Sequence, residues 1–120
     1  MSSEVSWILE VRVRDGREKE FRALMQEMVA ATQANEPHTL AYEWSTSADG
    51  RQCHIYERYT DPAAVMTHLA TFGAQYAARF DQVVEPMRIV IYGAPSAEVK
   101  AALADLDPVY MQPAAGFSRA

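Results

Sequence analysis

Along this 120-residue chain the apolar residues change repeatedly between a period of two and the helical period, and the order of those changes limits the fold sharply. Val5, Trp7, Leu9, Val11 and Val13 alternate with Ser6, Glu10, Arg12 and Arg14, the pattern of a half-buried strand, with only Ile8 apolar on the polar side. After an Arg-Asp-Gly-Arg turn, Phe21, Leu24, Met25, Met28, Val29 and Thr32 fall at i, i+3, i+4, i+7, i+8 and i+11. That is one apolar stripe on a helix, and it stops before Asn35-Glu36-Pro37-His38 because Pro37 cannot continue it. Leu40, Tyr42 and Trp44 alternate again, Asp49-Gly50 signals a hairpin, and a third strand follows over 52–59. Asp61 suits an N-cap and Pro62 a first helical position, so a second helix begins there with Val65, Leu69, Phe72, Tyr76, Phe80 and Val83 as its stripe. Gly73 is expected to bend or split it. A fourth strand in EPMRIVIYGAP, a short capped helix in PSAEVKAALADL and an extended tail complete the chain.

The order is β-α-β twice, joined at the hairpin. It predicts an α+β fold of the ferredoxin-like, split β-α-β kind: four antiparallel strands with two helices on one face and a further C-terminal helix. Such a sheet can leave its other face wet only if that face is polar. Ile8, Tyr56, Val90 and Tyr92 fall there beside Glu10, Arg12, His54, Arg58 and Arg88, too apolar for open solvent and too charged for a core. A self-complementary homodimer interface is the expectation, with Tyr110 and Phe117 in the tail as anchors across the partner.

The length suits one domain over 1–120, with 95–120 as C-terminal helix and tail. The formal net charge is −5 and Lys and Arg are scattered singly, so no basic stripe exists for nucleic acid. The apolar runs are short and broken by charges, which argues against a membrane span, and the N-terminus lacks a signal-peptide pattern. With Cys53 as the lone cysteine, a cytoplasmic protein is expected.

The candidate chemistry lies in YERYTDPAAVMTHLATF, residues 56–72. Glu57 shares a strand face with Ile55 and Tyr59, and His68 lies on the buried helical stripe between Val65 and Phe72. From Glu57 to Asp61 a strand advances roughly 13 Å. From Asp61 to His68 a helix returns roughly 10 Å. The two side chains therefore reach one height if the helix folds back over its strand. Two readings stay open: a buried hydrogen-bonded pair with a structural duty, or an acid–base pair in a pocket. Trp7, Tyr42, Trp44, Tyr59, Phe72, Tyr76 and Phe80 can all face the same sheet–helix gap, which would suit a small aromatic ligand. Metal binding is not expected, because His38, His54 and His68 are far apart and Cys53 and His54 point to opposite faces. The isolated glycines make no phosphate loop, and no nucleophile elbow is present, so no cofactor site is expected either.

The succession LAYEW, IYERYTDPAAVMTHLATF, IVIYGAPS and the terminal AGF resembles the antibiotic biosynthesis monooxygenase family, including its quinol monooxygenases, from Trp7 to about Ala94. The resemblance implies a dimeric α+β barrel in which two such sheets pack face to face. It also implies a cofactor-free monooxygenase that oxidises hydroxylated aromatics or quinols with O₂. His68 would be the base, Glu57 would orient it, and Trp7, Tyr42, Trp44, Tyr59, Phe72 and Tyr76 would bind the ring, with Tyr59 or Tyr42 donating to the oxyanion. Two alternatives accompany it. A non-catalytic dimer that binds an aromatic ligand is one. A haem-degrading relative is the other, disfavoured because such relatives pair a histidine with an N-terminal-strand asparagine, and Asn35 is the single asparagine here.

Overall fold

A computed structural model describes residues 2–119. Its elements run β1 (Val5–Val13), α1 (Glu18–Asn35), β2 (Thr39–Thr46), β3 (Gln52–Tyr59), α2 (Pro62–Gln75), α3 (Ala77–Val83), β4 (Val84–Gly93), α4 (Ala97–Leu103) and β5 (Val109–Met111), with a 3₁₀ turn at Ala104–Leu106. The sheet order is β2-β3-β1-β4-β5. The strand with the cleanest alternation, β1, takes the centre and pairs antiparallel with both β3 and β4. This is the ferredoxin-like α+β arrangement that the alternating periods predict.

Register decides which side chains meet beneath the helices. Tyr42 lies opposite Glu57, Glu57 opposite Trp7, and Trp7 opposite Ile91, so these four form one row across the helix-covered face. The next row is Trp44, Ile55, Leu9 and Ile89. Two apolar clusters result. One gathers Phe21, Leu24 and Met28 of α1 with Phe80 of α3 over Val11 and Ile55. The other gathers Val65 of α2 and Val99 of α4 over Val5, Trp7 and Ile91. Leu9 packs against both, and the space between them becomes the candidate site.

The chain departs from expectation in two places. The helical run after Asp61 breaks at Tyr76, not at Gly73. Gly73 faces open space and stays helical, whereas Tyr76 turns its ring into the core at 7% exposure and leaves helical angles. The hydrogen-bond ladder passes across that break, from Tyr76 N–H to the Phe72 carbonyl and from Phe80 N–H to the Tyr76 carbonyl. The change of axis brings the Phe72 and Phe80 rings together edge-on at 5.4 Å. The second departure is a fifth strand. Val109–Met111 of the tail pairs parallel with β4, which a four-stranded antiparallel expectation omits. Gly93 at the end of β4 is required: its φ is +91°, and a Cβ there would collide with the Glu4 carbonyl oxygen, which accepts from Ala94 N–H.

Ile8, Tyr56 and Val90 share a row on the helix-free face, continued by Val109 on β5. Beside them Glu10 lies 3.9 Å from His54 and 3.8 Å from Arg88. Among the described residues no helix is long and apolar enough to cross a membrane.

Candidate functional site

Two buried polar side chains, Glu57 and His68, converge on the gap between the two clusters, and a third, Glu36, meets His68 from behind. Glu57 is placed by β3, flanked in its row by Tyr42 and Trp7. His68 is placed by α2, whose start is fixed by Asp61: its carboxylate accepts from the Ala64 N–H at 2.8 Å, with Pro62 in the first turn. The helix then returns over its own strand and sets His68 Nε2 3.4 Å from Glu57 Oε1. The equal-height estimate from strand and helix lengths is met. On the opposite side of the ring, His68 Nδ1 lies 2.8 Å from Glu36 Oε1. Glu36 is the residue at the C-terminal cap of α1, where its N–H donates to the Thr32 carbonyl, and its Oε1 also accepts from the Thr39 hydroxyl at 2.9 Å. Exposure is 6% for His68, 5% for Glu57 and 9% for Glu36.

Enclosure sets the electrostatics. Burial pushes the Glu57 carboxyl above its usual range, against the opposing pull of His68 and of the Tyr59 and Trp7 donors. The Tyr59 hydroxyl donates to Glu57 Oε1 at 2.5 Å. Burial first, then the nearby Glu57 charge, raises the Tyr59 and Tyr42 hydroxyls well above the ordinary phenol range. Both tyrosines are therefore donors at any working pH and cannot serve as bases.

The cavity beside these groups has a volume of about 340 Å³. Trp7, Tyr42, Phe72, Phe80, Leu69 and Leu106 form much of its wall, and Glu57, His68 and Asp81 are its charged or polar members. A mostly apolar cavity with a few converging polar groups is the usual form of a small-molecule site. Of the aromatic residues singled out in the sequence, Trp7, Tyr42, Phe72 and Phe80 line it. Tyr59 stands behind Glu57, its ring 5.1 Å from Trp7 and 5.5 Å from His68. Trp44 packs into the α1–α3 core against Phe21 and Phe80, with its buried Nε1 lacking a hydrogen-bond partner. Tyr76 lies in the same core, under the Arg79 guanidinium.

Sequence reasoning missed Glu36. One signal was present: an acid at the C-terminal end of a helix faces the negative end of its dipole, so a partner elsewhere is needed to hold it there. Among the described residues no group of three His, Cys, Asp or Glu side chains is arranged to hold a metal ion. His68 has a carboxylate on each of its two ring nitrogens, so the two acids approach it from opposite sides.

A family model described as antibiotic biosynthesis monooxygenase matches residues 5–80. No curated protein matches the chain. Among solved structures, MupZ from Pseudomonas fluorescens is similar with a TM-score of 0.85 at 20% identity, over 98% of this chain and 96% of that one. Rv0793 from Mycobacterium tuberculosis is similar with a TM-score of 0.65 at 25% identity, over 74% and 92%. PA3566 from Pseudomonas aeruginosa gives 0.61 at 20%, over 76% and 91%. The MupZ likeness spans nearly the whole chain, so it takes in the segment beyond residue 80.

The raised Glu57 carboxyl has a stability consequence whose sign is fixed. A carboxyl that holds its proton more tightly folded than unfolded stabilises the fold fully below its unfolded pKa, and that contribution is lost as pH rises through the folded value. Glu57→Gln removes the titration. Its melting temperature relative to wild type is expected to rise as the pH is raised above about 4, the unfolded-state carboxyl reference. A difference between the two melting curves that does not change with pH contradicts the assignment.

Proposed function

The chain belongs to the antibiotic biosynthesis monooxygenase family, and from that membership we propose that it oxidises a hydroxylated aromatic ring or quinol with O₂, using acid–base chemistry in the cavity and no cofactor. The observation that supports this reading most is the 3.4 Å approach of His68 to Glu57 at the wall of an apolar cavity. A phenol reduces O₂ far more readily once ionised, so a protein that binds the ring and removes a proton can leave the electrons to the substrate.

In this reading Trp7, Tyr42 and Phe72 hold the ring, and His68 takes a hydroxyl proton. The ionised ring passes electrons to O₂, a ring C–O bond forms, and the proton returns from His68 to give a ring hydroperoxide. Loss of the proton on that carbon, with cleavage of the O–O bond, leaves a carbonyl and releases water. One oxygen atom enters the product and the other leaves as water, with every electron drawn from the substrate. The Tyr42 hydroxyl, kept protonated by burial, donates to the developing oxyanion. Glu57 stabilises the imidazolium, and the apolar wall keeps water from intercepting the peroxide.

A second reading is favoured by the same carboxyl. A carboxyl pushed upward by burial beside an imidazole base puts two proton-transfer groups on one cavity, which suits an oxygen-independent proton transfer. Oxygen uptake separates the two. Metal-free protein is expected to consume O₂ with a bicyclic quinol, and His68→Ala to lower kcat/KM by roughly 10²- to 10⁴-fold. Full activity in both His68→Ala and Glu57→Ala overturns the assignment, and turnover of substrate without oxygen uptake favours the second reading.

The functional unit is proposed to be a homodimer joined through the helix-free sheet face. Ile8, Tyr56 and Val90 in one row, ringed by the polar side chains of Glu10, His54 and Arg88, support this. Sedimentation is expected to give a dimer at micromolar concentration and a monomer for Ile8→Asp; a wild-type monomer contradicts the interface.

A further inference from the structure

We infer that Glu36 is the positioning residue of this site: by taking the Nδ1–H of His68 it leaves Nε2 as the proton-accepting atom that faces Glu57 and the cavity. The inference rests on the reading of His68 as the base, and deepens it. Glu36 makes the shorter of the two carboxylate contacts to the ring, 2.8 Å against 3.4 Å, and makes it at the nitrogen remote from Glu57. A neutral imidazole carries one N–H, and the nitrogen with the stronger acceptor keeps it. Each of the two carboxylate oxygens already receives one hydroxyl, Thr39 at Glu36 and Tyr59 at Glu57, so the shorter contact to the ring marks Glu36 as that acceptor.

The surroundings of Glu36 suit the role. Its backbone is pinned at the α1 cap by the bond to Thr32, Pro37 follows it, and the Thr39 hydroxyl holds the same oxygen that meets His68. Glu36 also borders an open groove with Thr32, Gln33 and Thr39, on the side of the imidazole away from Glu57. Stability of the helix does not account for the residue, since an acid at the C-terminal end opposes the helix dipole. A hold on His68 does account for it.

Long-range proton–nitrogen NMR of the His68 ring, recorded as a pH series, reads the tautomer of the neutral imidazole directly. Wild type is expected to carry the proton on Nδ1. In Glu36→Leu the proton is expected to move to Nε2, the usual site for a free histidine, and kcat for the quinol to fall by about 10²-fold or more with KM unchanged. Glu36→Gln, whose amide oxygen still accepts from Nδ1–H, is expected to keep the tautomer and lose less activity. Glu36→Ala replaces the leucine variant if that one does not fold. A wild-type proton on Nε2, or a tautomer unchanged in the variant that lacks an acceptor, overturns the inference. Wild type that oxidises no quinol yet holds its proton on Nδ1 overturns the oxidation reading alone.

Discussion

A carboxyl group stands in the middle of the face that this sheet turns toward its helices, and much of the surrounding structure answers to it. An isolated carboxylate there would cost several kcal/mol in lost solvation. Glu57 is tolerated because its own strand and the returning helix supply partners: the Tyr59 hydroxyl at 2.5 Å, His68 at 3.4 Å, and a cavity in place of close-packed hydrocarbon. The apolar rows on either side compensate. Ile55, Ile89, Ile91 and Val5 are all but fully buried, and each such side chain contributes roughly 1.5–3 kcal/mol. The site therefore draws its stability from the strands that flank it, not from its own polar contacts.

His68 couples the end of α1 to α2, two segments that the Thr60 N–H bond to the His38 carbonyl also joins. Its α2 helix is set by the Asp61 cap, while Glu36 is set by the end of α1 and the Pro37 turn. The imidazole lies where those two placements intersect, with its two nitrogens on different sides of the wall: Nε2 toward Glu57 and the cavity, Nδ1 toward the groove beside β2. Such an arrangement gives one ring a defined donor end and a defined acceptor end, which a single carboxylate partner would not achieve.

The fold was legible in the sequence to the extent that local periods and caps decide it. The alternation from Val5 to Val13 placed β1, and Asp61-Pro62 placed the start of α2 and, through simple lengths, the meeting of His68 with Glu57. What escaped depends on packing between distant segments. Gly73 looked like the breaking point by propensity, but the break follows the burial of the Tyr76 ring, a tertiary effect. Strand β5 is three residues with no alternating signature long enough to read, and it forms because the edge of β4 is unpaired. Which aromatics reach the cavity was equally hidden, since Trp44 shares a gap with Tyr42 in sequence terms but packs into the α1–α3 core, edge-on to Phe80 at 6.1 Å. Glu36 was passed over because its partner lies 32 positions away, and its misfit with the helix dipole was the one local trace.

The central claim is that His68 removes a proton from a phenol bound in the cavity. The most direct measurement uses 4-nitrophenol, whose ionised form absorbs in the visible, titrated with wild type and with His68→Ala at a pH where the free phenol is partly ionised. Binding to wild type should increase the phenolate absorbance, because the imidazole takes the proton, and the variant should bind the ring without that increase. A phenol that becomes protonated on entering the wild-type cavity would show that its apolar wall outweighs the base, and would contradict the claim.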